Sequence, residues 1–226
     1  GELLVPSPSW VSYAPQARII GRRVKWLGTD FAHDWKLLPE TLDAHCLSAP
    51  GLPRLLILNY PNNPTGVSYG EDELAALAAV VRRHQVLVLS DEIYADLDHS
   101  GRTASISHHY PEGTIVSTGL SKWCGAGGWR LGLFSFPEEL EWLCAAMTVI
   151  ATETYTAVST PIQYAAVRAF QGGVELDRYV HNCRKVLGAI GQHCRQTLVQ
   201  AGCRLPPIDG AFYLFPDFVG LREKLG

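Results

Sequence analysis

Apolar residues along the chain gather in short runs that predict strands. Residues 54–59 form one such run, which ends at a turn rich in Pro and Asn. Residues 85–90 are almost continuously apolar, as strands buried on both faces of a sheet are. The chain opens with another apolar run, and residues 114–119 and 130–136 predict further strands.

Between these runs, apolar residues recur with the spacing of a helix face. Residues 71–84 predict an amphipathic helix, and Ser68 and Glu71 have the spacing of a capping box at its start. The apolar positions of this helix are Leu74, Leu77, Ala78 and Val81. Further helices are predicted over 137–150, 160–171 and 174–201.

Strands that alternate with helices indicate an α/β fold, with a mostly parallel sheet flanked by helices. From about residue 172 the pattern changes, because a long helical stretch leads to a Pro/Gly turn and one aromatic-rich strand within 201–218. We therefore expect two domains. A large domain would cover 1–172, and the start of a smaller α+β domain would cover 173–226.

Composition and charge narrow the class of protein. Of 226 residues, 47% are hydrophobic and 18% are charged, which is typical of a globular domain. The net charge of −3 gives no electrostatic reason to expect nucleic acid or an anionic membrane as a partner. No apolar run approaches the ~20 residues of a membrane helix, and the first residues lack the features of a secretory signal. A cytoplasmic location is therefore the expectation.

Metal-binding patterns are absent from the sequence. The six cysteines include no C-x-x-C pair, so we expect reduced thiols. Acidic and histidine residues between 96 and 109 lie in a polar loop without metal-site spacing, and we predict no metal site.

Polar residues cluster where three predicted strands end. Asn63 follows the first of these strands, Asp91 and Tyr94 follow the second, and Lys122 follows the third, with Arg130 a little further on. Because ligands bind outside the carboxyl ends of the strands in a parallel sheet, these residues indicate one crevice.

The residue types in this crevice suit pyridoxal 5'-phosphate (PLP). Lysine amines form Schiff bases with carbonyl groups. An aspartate at the end of a buried strand needs a cationic partner, and a protonated pyridine nitrogen is one. Asn and Tyr side chains can hydrogen-bond a phenolate oxygen, while Arg130 and the backbone N–H groups of a glycine-rich loop suit a phosphate. Glycine-rich nucleotide motifs fail on spacing.

Three motifs, in this order and spacing, resemble those of the class I/II aminotransferases of PLP fold type I. They are YPNNPTG (60–66), SDEIYADL (90–97) and GLSKWCGAGGWRLG (119–132). The resemblance covers nearly the whole chain, and residues 7–21 are similar to the family segment whose aromatic residue stacks on the cofactor ring. It implies a PLP-dependent aminotransferase that moves an amino group between an amino acid and a 2-oxo acid by a ping-pong mechanism.

The resemblance implies roles for the residues of the crevice. Lys122 would form the Schiff base with PLP and then act as the general acid/base of the proton shift. Asp91 would pair with the pyridinium nitrogen. Tyr94 and Asn63 would hydrogen-bond the phenolate oxygen of the ring.

Further contacts implied by the resemblance would hold the cofactor. Arg130 would bind the phosphate, Trp10 would stack on one face of the ring, and Ile93 would pack against the other. Gly119 departs from the family pattern, since many members carry a phosphate-binding serine there. Ser121 or Ser117 would then supply that contact.

The resemblance also implies that the chain is a fragment. In this family, part of the phosphate site and the N-terminal arm precede the segment that begins at residue 1, and the arginine that binds the substrate carboxylate lies beyond residue 226. We therefore expect the isolated chain to lack full activity, and the complete protein to be a homodimer.

Other interpretations of the same residues stay open. Asp91 could cap a helix, Asn63 could serve its Asn-Pro turn, and Trp10 could be a core or interface residue. A C–S β-lyase or another lyase of the same fold would use the same residues, because the reaction depends on which Cα bond lies perpendicular to the ring. A non-catalytic, aminotransferase-like sensor domain of a transcription regulator is the third alternative.

Overall fold

Six strands form one mixed sheet in the computed structural model, which describes residues 1–102 and 104–225. The strands are β1 (Glu2–Ser7), β2 (Arg23–Gly28), β3 (Arg54–Asn59), β4 (Leu87–Asp91), β5 (Thr114–Gly119) and β6 (Gly132–Ser135). Their order is β2-β1-β3-β4-β5-β6. The first five are parallel and β6 is antiparallel to β5, which confirms the predicted, mostly parallel α/β sheet.

Helices flank this sheet. They are α1 (Tyr13–Ile19), α2 (Pro39–Ser48), α3 (Glu71–Arg83), α4 (Glu141–Thr154), α5 (Thr160–Phe170), α6 (Val174–Gln200) and α7 (Arg222–Leu225). Each helix predicted from the sequence is present within a few residues of its expected bounds. In the part of the chain that the structure describes, no helix is both long enough and apolar enough to cross a membrane.

Side chains of the central strands alternate between two apolar clusters, one on each face of the sheet. Leu56 and Leu58 of β3 belong to the larger cluster, together with residues of α3 such as Leu74. Ile57 points the other way and packs with Tyr13 of α1. This alternation follows from the two-residue period of a strand, and it fixes α1 and α3 on opposite faces.

Three elements between residues 13 and 48, α1, β2 and α2, were not predicted from the sequence. Strand β2 lies at the edge of the sheet, and Leu27 is its one buried side chain. A strand that buries so little shows no apolar run. Helix α2 likewise buries only Leu42 and Cys46, which leaves a weak periodic pattern.

The predicted capping box of α3 is wrong by two residues. Gly70 is the N-cap, and the Glu73 carboxylate accepts the Gly70 N–H at 2.7 Å. The Ser68 N–H instead donates to Asp209 Oδ2 at 2.8 Å. The local pattern assigned the Ser68 N–H to the capping box, but Asp209, far along the chain, accepts its hydrogen bond instead.

The predicted aromatic-rich strand after residue 201 is also wrong. Residues 208–213, called the cover segment below, lie against the loops that follow β3 and β4. The Asp209 N–H donates to the Gly66 carbonyl at 2.9 Å, and the Ala211 N–H donates to the Leu97 carbonyl at 3.1 Å. Ala211 has a φ of 57°, which interrupts the extended backbone that a strand requires.

The long helix α6 packs against the loop that follows β5. Val180 is buried in a cluster with Leu120 and Trp123, and Leu176 and Leu187 pack against the same cluster. Gly172 and Gly173, both at positive φ, connect α5 to this helix. The division into domains at residues 172 and 173 stays a prediction.

A charged cluster closes the amino-terminal end of the sheet. Glu2 of β1 is paired in register with Arg54 of β3, whose side chain is 2% exposed. The Glu2 carboxylate accepts hydrogen bonds from Arg54 Nε at 2.9 Å and His45 Nε2 at 2.8 Å. Burial raises the pKa of Glu2, but these hydrogen bonds outweigh it and hold the pKa below its ordinary value.

We predict that Glu2→Gln lowers the free energy of unfolding by about 3 kcal/mol near neutral pH, because it leaves the Arg54 charge buried without its partner. A depressed pKa stabilises the fold only while the carboxyl is ionised. The difference between wild type and variant should therefore shrink as the pH falls below about 4.5. Urea denaturation at neutral and acidic pH measures both effects.

Glu112→Gln is the matched control. Glu112 pairs with Arg82 at 2.6 Å, but both side chains are largely exposed. Its removal should cost less than about 1 kcal/mol, since water screens exposed pairs. Equal losses of unfolding free energy in the two variants would show that the buried Glu2–Arg54 pair stabilises the fold no more than the exposed Glu112–Arg82 pair does.

Candidate active site

The register of the sheet brings three strand ends into one row. Asn59, the last residue of β3, is paired with Asp91, the last residue of β4, and Asp91 is paired with Ser117 of β5. The loops that continue from these strands leave the same edge of the sheet. They carry Asn63, Tyr94 and Lys122.

The Asn59 side chain joins two of these loops. Its amide Nδ2 donates to the Asp91 carbonyl at 2.8 Å, and its Oδ1 accepts the Asn63 N–H at 2.8 Å. Asn59 is buried, so these hydrogen bonds satisfy polar atoms that would otherwise be costly. One amide therefore fixes the position of Asn63 relative to Asp91.

The Asp91 carboxylate is the half-buried acidic group of the site. Its Oδ2 accepts a hydrogen bond from the Tyr13 hydroxyl at 2.5 Å, and its Oδ1 accepts the Ile93 N–H at 3.3 Å. Burial raises the pKa of Asp91, while these two hydrogen bonds and the positive charge of Lys122 oppose the rise. A cation placed against this carboxylate would oppose it further.

Tyr13 is a site residue that the sequence analysis missed. It is buried at the start of α1, and burial together with the Asp91 charge raises the pKa of its phenol, which therefore stays a donor. Trp10 packs edge-on against the Tyr13 ring at 5.2 Å between centroids, and Trp10 remains 39% exposed. The signal available in the sequence was a pair of aromatic residues, Trp10 and Tyr13, three positions apart at the start of α1.

Lys122 lies among aromatic rings. Its Nζ is 5.5 Å from the centroid of Tyr94 and 5.8 Å from that of Phe212, within the range of cation–π attraction. Phe212 belongs to the cover segment, which brings a residue from late in the chain to the lysine. The contact spans too many residues for sequence periodicity to reveal it.

The Tyr94 hydroxyl is shared between two neighbours. It lies 2.6 Å from the Tyr213 hydroxyl, and the Asn63 side chain approaches from the other loop. Burial raises the pKa of Tyr94, the hydrogen bond to Tyr213 raises it further, and Asn63 opposes the rise. Tyr94 is therefore a neutral phenol with Asn63 beside it, as the predicted pair requires.

A network behind the site holds the turn that carries Asp91 and Tyr94. The Glu92 carboxylate accepts hydrogen bonds from Ser90 at 2.8 Å, Ser105 at 2.5 Å and Tyr60 at 3.2 Å. These hydroxyls come from β4 and from the two loops on either side. Hydrogen-bond networks of this kind restrain the backbone they hold.

The glycine-rich loop contains Lys122, Ser121 and Arg130. Arg130 is exposed, with a φ of 58° that non-glycine residues adopt at a cost of about 1 kcal/mol or more. Its guanidinium donates to the Gly127 carbonyl at 2.7 Å. Ser121 is half-buried directly before Lys122. Strained backbone that carries an exposed arginine is typical of binding loops.

Gly119 leaves no room for the serine of the family pattern. A Cβ added there would lie 2.7 Å from the Leu131 carbonyl oxygen, which also accepts the Leu120 N–H. The Ile93 side chain would be 3.5 Å from the same Cβ, so Ile93 packs against this end of β5. The close pairing of β5 with β6 therefore determines the residue at position 119.

The arrangement fits PLP in its chemistry. A half-buried carboxylate is available for a cation, the charge of a lysine amine acts on it, and a phenol and an amide that could serve as donors stand together. The aromatic face of Trp10 is partly open, and a Cβ added at Gly128 would meet nothing within 4 Å. The loop that carries Arg130 is therefore open to solvent at Gly128.

A separate cavity of about 720 Å³ lies at the start of α3. Several of its charged groups are already paired: Lys36 binds Glu73 at 2.9 Å, and Asp209 binds the Ser68 N–H.

Across residues 1–102 and 104–225, no group of three or more His, Cys, Asp or Glu side chains is arranged to hold a metal ion.

The chain belongs to the aminotransferase class I and II family, which it matches over residues 1–225. Members of this family are generally PLP-dependent. The solved structures that it resembles are fold type I aminotransferases.

Similar proteins carry three different substrate names. The aspartate aminotransferase of Geobacillus stearothermophilus is 33% identical over 96% of this chain and 54% of its own length. The asparagine–oxo-acid transaminase of Streptococcus mutans is 30% identical over all of this chain and 56% of its own. The aromatic aminotransferase structure from Pyrococcus horikoshii OT3 superposes with a TM-score of 0.87 at 31% identity, over 95% of this chain and 57% of its own. The chain thus spans about half the length of the relatives it matches.

We predict that Gly119→Ser lowers the free energy of unfolding by about 1–3 kcal/mol, because the new side chain pushes β5 from β6. Gly128→Ser, which adds the same side chain in open space, should change it by no more than about 0.5 kcal/mol. Thermal or urea denaturation of both variants tests this. A Gly119→Ser variant as stable as wild type would show that the strands can separate freely.

Proposed function

We propose that this chain is the PLP-binding part of an aminotransferase, which moves an amino group between an amino acid and a 2-oxo acid by a ping-pong mechanism. The observation that carries the proposal is the half-buried Asp91 carboxylate under the influence of the Lys122 charge, with the Tyr94 ring 5.5 Å from that amine. Membership of the aminotransferase family supports it.

PLP, when bound, supplies an aldehyde that condenses with amines and a ring that accepts electron density from the substrate Cα. Asp91 would hold the proton of the ring nitrogen in place by pairing with its positive charge. Since the carboxylate is half-buried, this pair would be partly shielded from water, which strengthens charge attraction. Asp91 is thus the residue on which the electron-accepting property depends.

Lys122 would anchor the cofactor covalently and, once released by substrate, move a proton at the substrate Cα. Its amine lies over the Tyr94 ring, 5.5 Å from the ring centroid, so the amine and the phenol would act in the same part of the site. Tyr94 and Asn63 would donate to the phenolate oxygen of the ring. The buried, neutral state of Tyr94 suits it to that role.

The remaining predicted residues would hold the cofactor in position. Arg130 would bind the phosphate, with Ser121 as a hydroxyl donor in the same loop. Trp10 would cover one face of the ring and Ile93 the other. Ser121 or Ser117 would supply the hydroxyl that Gly119 lacks.

The wider proposals concern the complete protein. Residues 1–172 would belong to its large domain and residues 173–226 to the start of its smaller domain, with a homodimer as the working form. Relatives of similar identity are named for aspartate, asparagine and aromatic substrates. They support amino-group transfer as the reaction and leave the substrate class to assay.

Borohydride reduction tests the role of Lys122. The complete protein is incubated with PLP, reduced, digested and analysed by peptide mass. We expect a phosphopyridoxyl group on Lys122 that is absent from Lys122→Arg. Lys36→Arg, which changes a lysine paired with Glu73 away from the site, should keep the adduct.

Absence of an adduct on Lys122 would overturn the proposal.

If the adduct forms, product analysis separates the alternatives among PLP enzymes. A transferase yields the 2-oxo acid without ammonia and leaves an aminated cofactor, whereas a β-lyase releases ammonia with its 2-oxo acid. Binding of PLP with neither product would favour the sensor-domain alternative.

Arg130→Gly separates phosphate binding from loop stability. Glycine tolerates a φ of 58°, so we expect the free energy of unfolding to change by less than about 1 kcal/mol. PLP affinity should fall about 10-fold or more, since a charge-assisted hydrogen bond is lost. Equilibrium dialysis measures the affinity.

Arg168→Ala is the control for this variant, because Arg168 is also exposed and also bonds a glycine carbonyl, that of Gly172 at 3.0 Å. It should bind PLP as wild type does. If Arg130→Gly retained wild-type affinity, Arg130 would have no role in holding the phosphate.

A further inference from the structure

Two buried polar atoms near the ends of β1 and β3 have no hydrogen-bond partner among the described residues. They are Ser9 Oγ, in the segment that follows β1, and Trp35 Nε1, in the loop that precedes α2. Trp123 Nε1 is a third such atom, but it lies in a different apolar cluster. A buried polar group without a partner is costly, and native proteins satisfy nearly all of them. Ser9 and Trp35 therefore indicate a partner that their own neighbours do not supply.

Both residues line the same small cavity, called the Ser9–Trp35 cavity below. Its volume is about 10 Å³, which is about the space that one water molecule needs. Tyr13 and Asn59 also line it, and both form hydrogen bonds with Asp91. The cavity therefore lies directly behind the candidate active site.

The Tyr69 hydroxyl is a third polar group at this cavity. Its oxygen accepts the Leu37 N–H at 2.8 Å, which places the hydroxyl beside the loop that carries Trp35. For residues 1–102 and 104–225, no acceptor is found for the hydrogen of this hydroxyl, and Tyr69 is buried. The Trp35 N–H and the Tyr69 O–H are thus two donors that need an acceptor.

The loop that carries Trp35 has an unfavourable backbone conformation. Asp34 and Trp35 have φ of 53° and 59°, which non-glycine residues adopt only at an energetic cost. The Trp35 ring meets Phe31 and Phe215 edge to face, at 6.4 and 5.7 Å between centroids. Because strained backbone persists only where its surroundings fix it, a hydrogen bond at the indole N–H would complete the contacts that hold this loop.

We propose that the Ser9–Trp35 cavity is a binding site for one water molecule, which joins the segment after β1 to the loop before α2. The water accepts hydrogen bonds from Trp35 Nε1–H and Tyr69 O–H and donates one to Ser9 Oγ. Three hydrogen bonds are typical of buried water. This inference does not depend on the proposed function.

The lining of the cavity favours water over other small ligands. A cation is disfavoured, since Trp35 and Tyr69 both present hydrogen atoms to the cavity. A larger ligand does not fit into about 10 Å³. Cavities that stay dry are apolar, whereas this one has polar groups from three parts of the chain.

A high-resolution crystal structure of the complete wild-type protein without PLP tests the site directly. We expect one water peak at about 3 Å from both Ser9 Oγ and Trp35 Nε1. A cavity without a peak, a direct Ser9–Trp35 hydrogen bond, or an atom from another part of the protein at that position would overturn the inference. Since no cofactor is present, a failure of the proposed function does not affect this result.

Ser9→Ala tests the site by the sign of its effect on stability. If Ser9 Oγ bonds a water, its removal loses a hydrogen bond, and we expect the unfolding equilibrium constant to rise about 10-fold. If the hydroxyl has no partner, its removal relieves an unpaired buried group, and the constant falls or stays the same. Urea denaturation of the complete protein without PLP distinguishes the two, and the second result would overturn the inference.

Ser12→Ala is the matched control for Ser9→Ala. Ser12 is half-buried in the same segment, and its side chain makes no capping hydrogen bond to α1. We expect the unfolding equilibrium constant to change by less than about twofold. A rise as large as that in Ser9→Ala would show that loss of any hydroxyl in this segment has the same effect, which would contradict a specific water site at Ser9.

NMR of the wild-type protein with ¹⁵N-labelled tryptophan covers the case in which Ser9→Ala fails to fold. The Trp35 indole signal is assigned by its loss in Trp35→Phe. We expect this indole proton to show cross-relaxation with a long-lived water, whereas the exposed indole of Trp142 should show only bulk solvent. Absence of a long-lived water at Trp35 would overturn the inference.

Discussion

The alignment of β3, β4 and β5 is the constraint on which the rest of the structure depends. Their pairing places Asn59, Asp91 and Ser117 in one row. Side chains alternate along a strand, so a shift of one residue would exchange the faces of the sheet and send the Asp91 carboxylate elsewhere. The apolar clusters on both faces oppose such a shift, because each strand residue already has a buried position to fill.

Partial burial makes the ionised Asp91 carboxylate unfavourable, and it also suits this carboxylate to pair with a cation. A carboxylate in this position is expensive, and Tyr13, the Ile93 N–H and Lys122 offset only part of the cost. The part of this desolvation cost that remains uncompensated would favour binding of a cationic ligand at Asp91. Glu92, one residue further, differs from Asp91, since three hydroxyls donate to one of its carboxylate oxygens.

The sequence revealed those parts of the site that follow from local pattern. Apolar runs locate the ends of β3, β4 and β5, and the residues after each end were thereby predicted to lie together. Their roles stay predictions. Tyr13, Phe212 and Tyr213 could not be found this way, because they meet the site through contacts across many residues. Long-range contact also explains the wrong cap at Ser68, and the φ of Ala211 explains the wrong strand.

Helix α6 has a mechanical consequence. Its first turns are packed against Leu120 and Trp123, on either side of Lys122, and Arg184 bonds the Asp96 carbonyl at 2.7 Å. Over 27 residues the helix is about 40 Å long. A tilt of about 5° at the packed end therefore carries the far end through about 3.5 Å. Any rigid-body adjustment of the helix beside the lysine would thus appear as a larger displacement at its far end, where a label could record it.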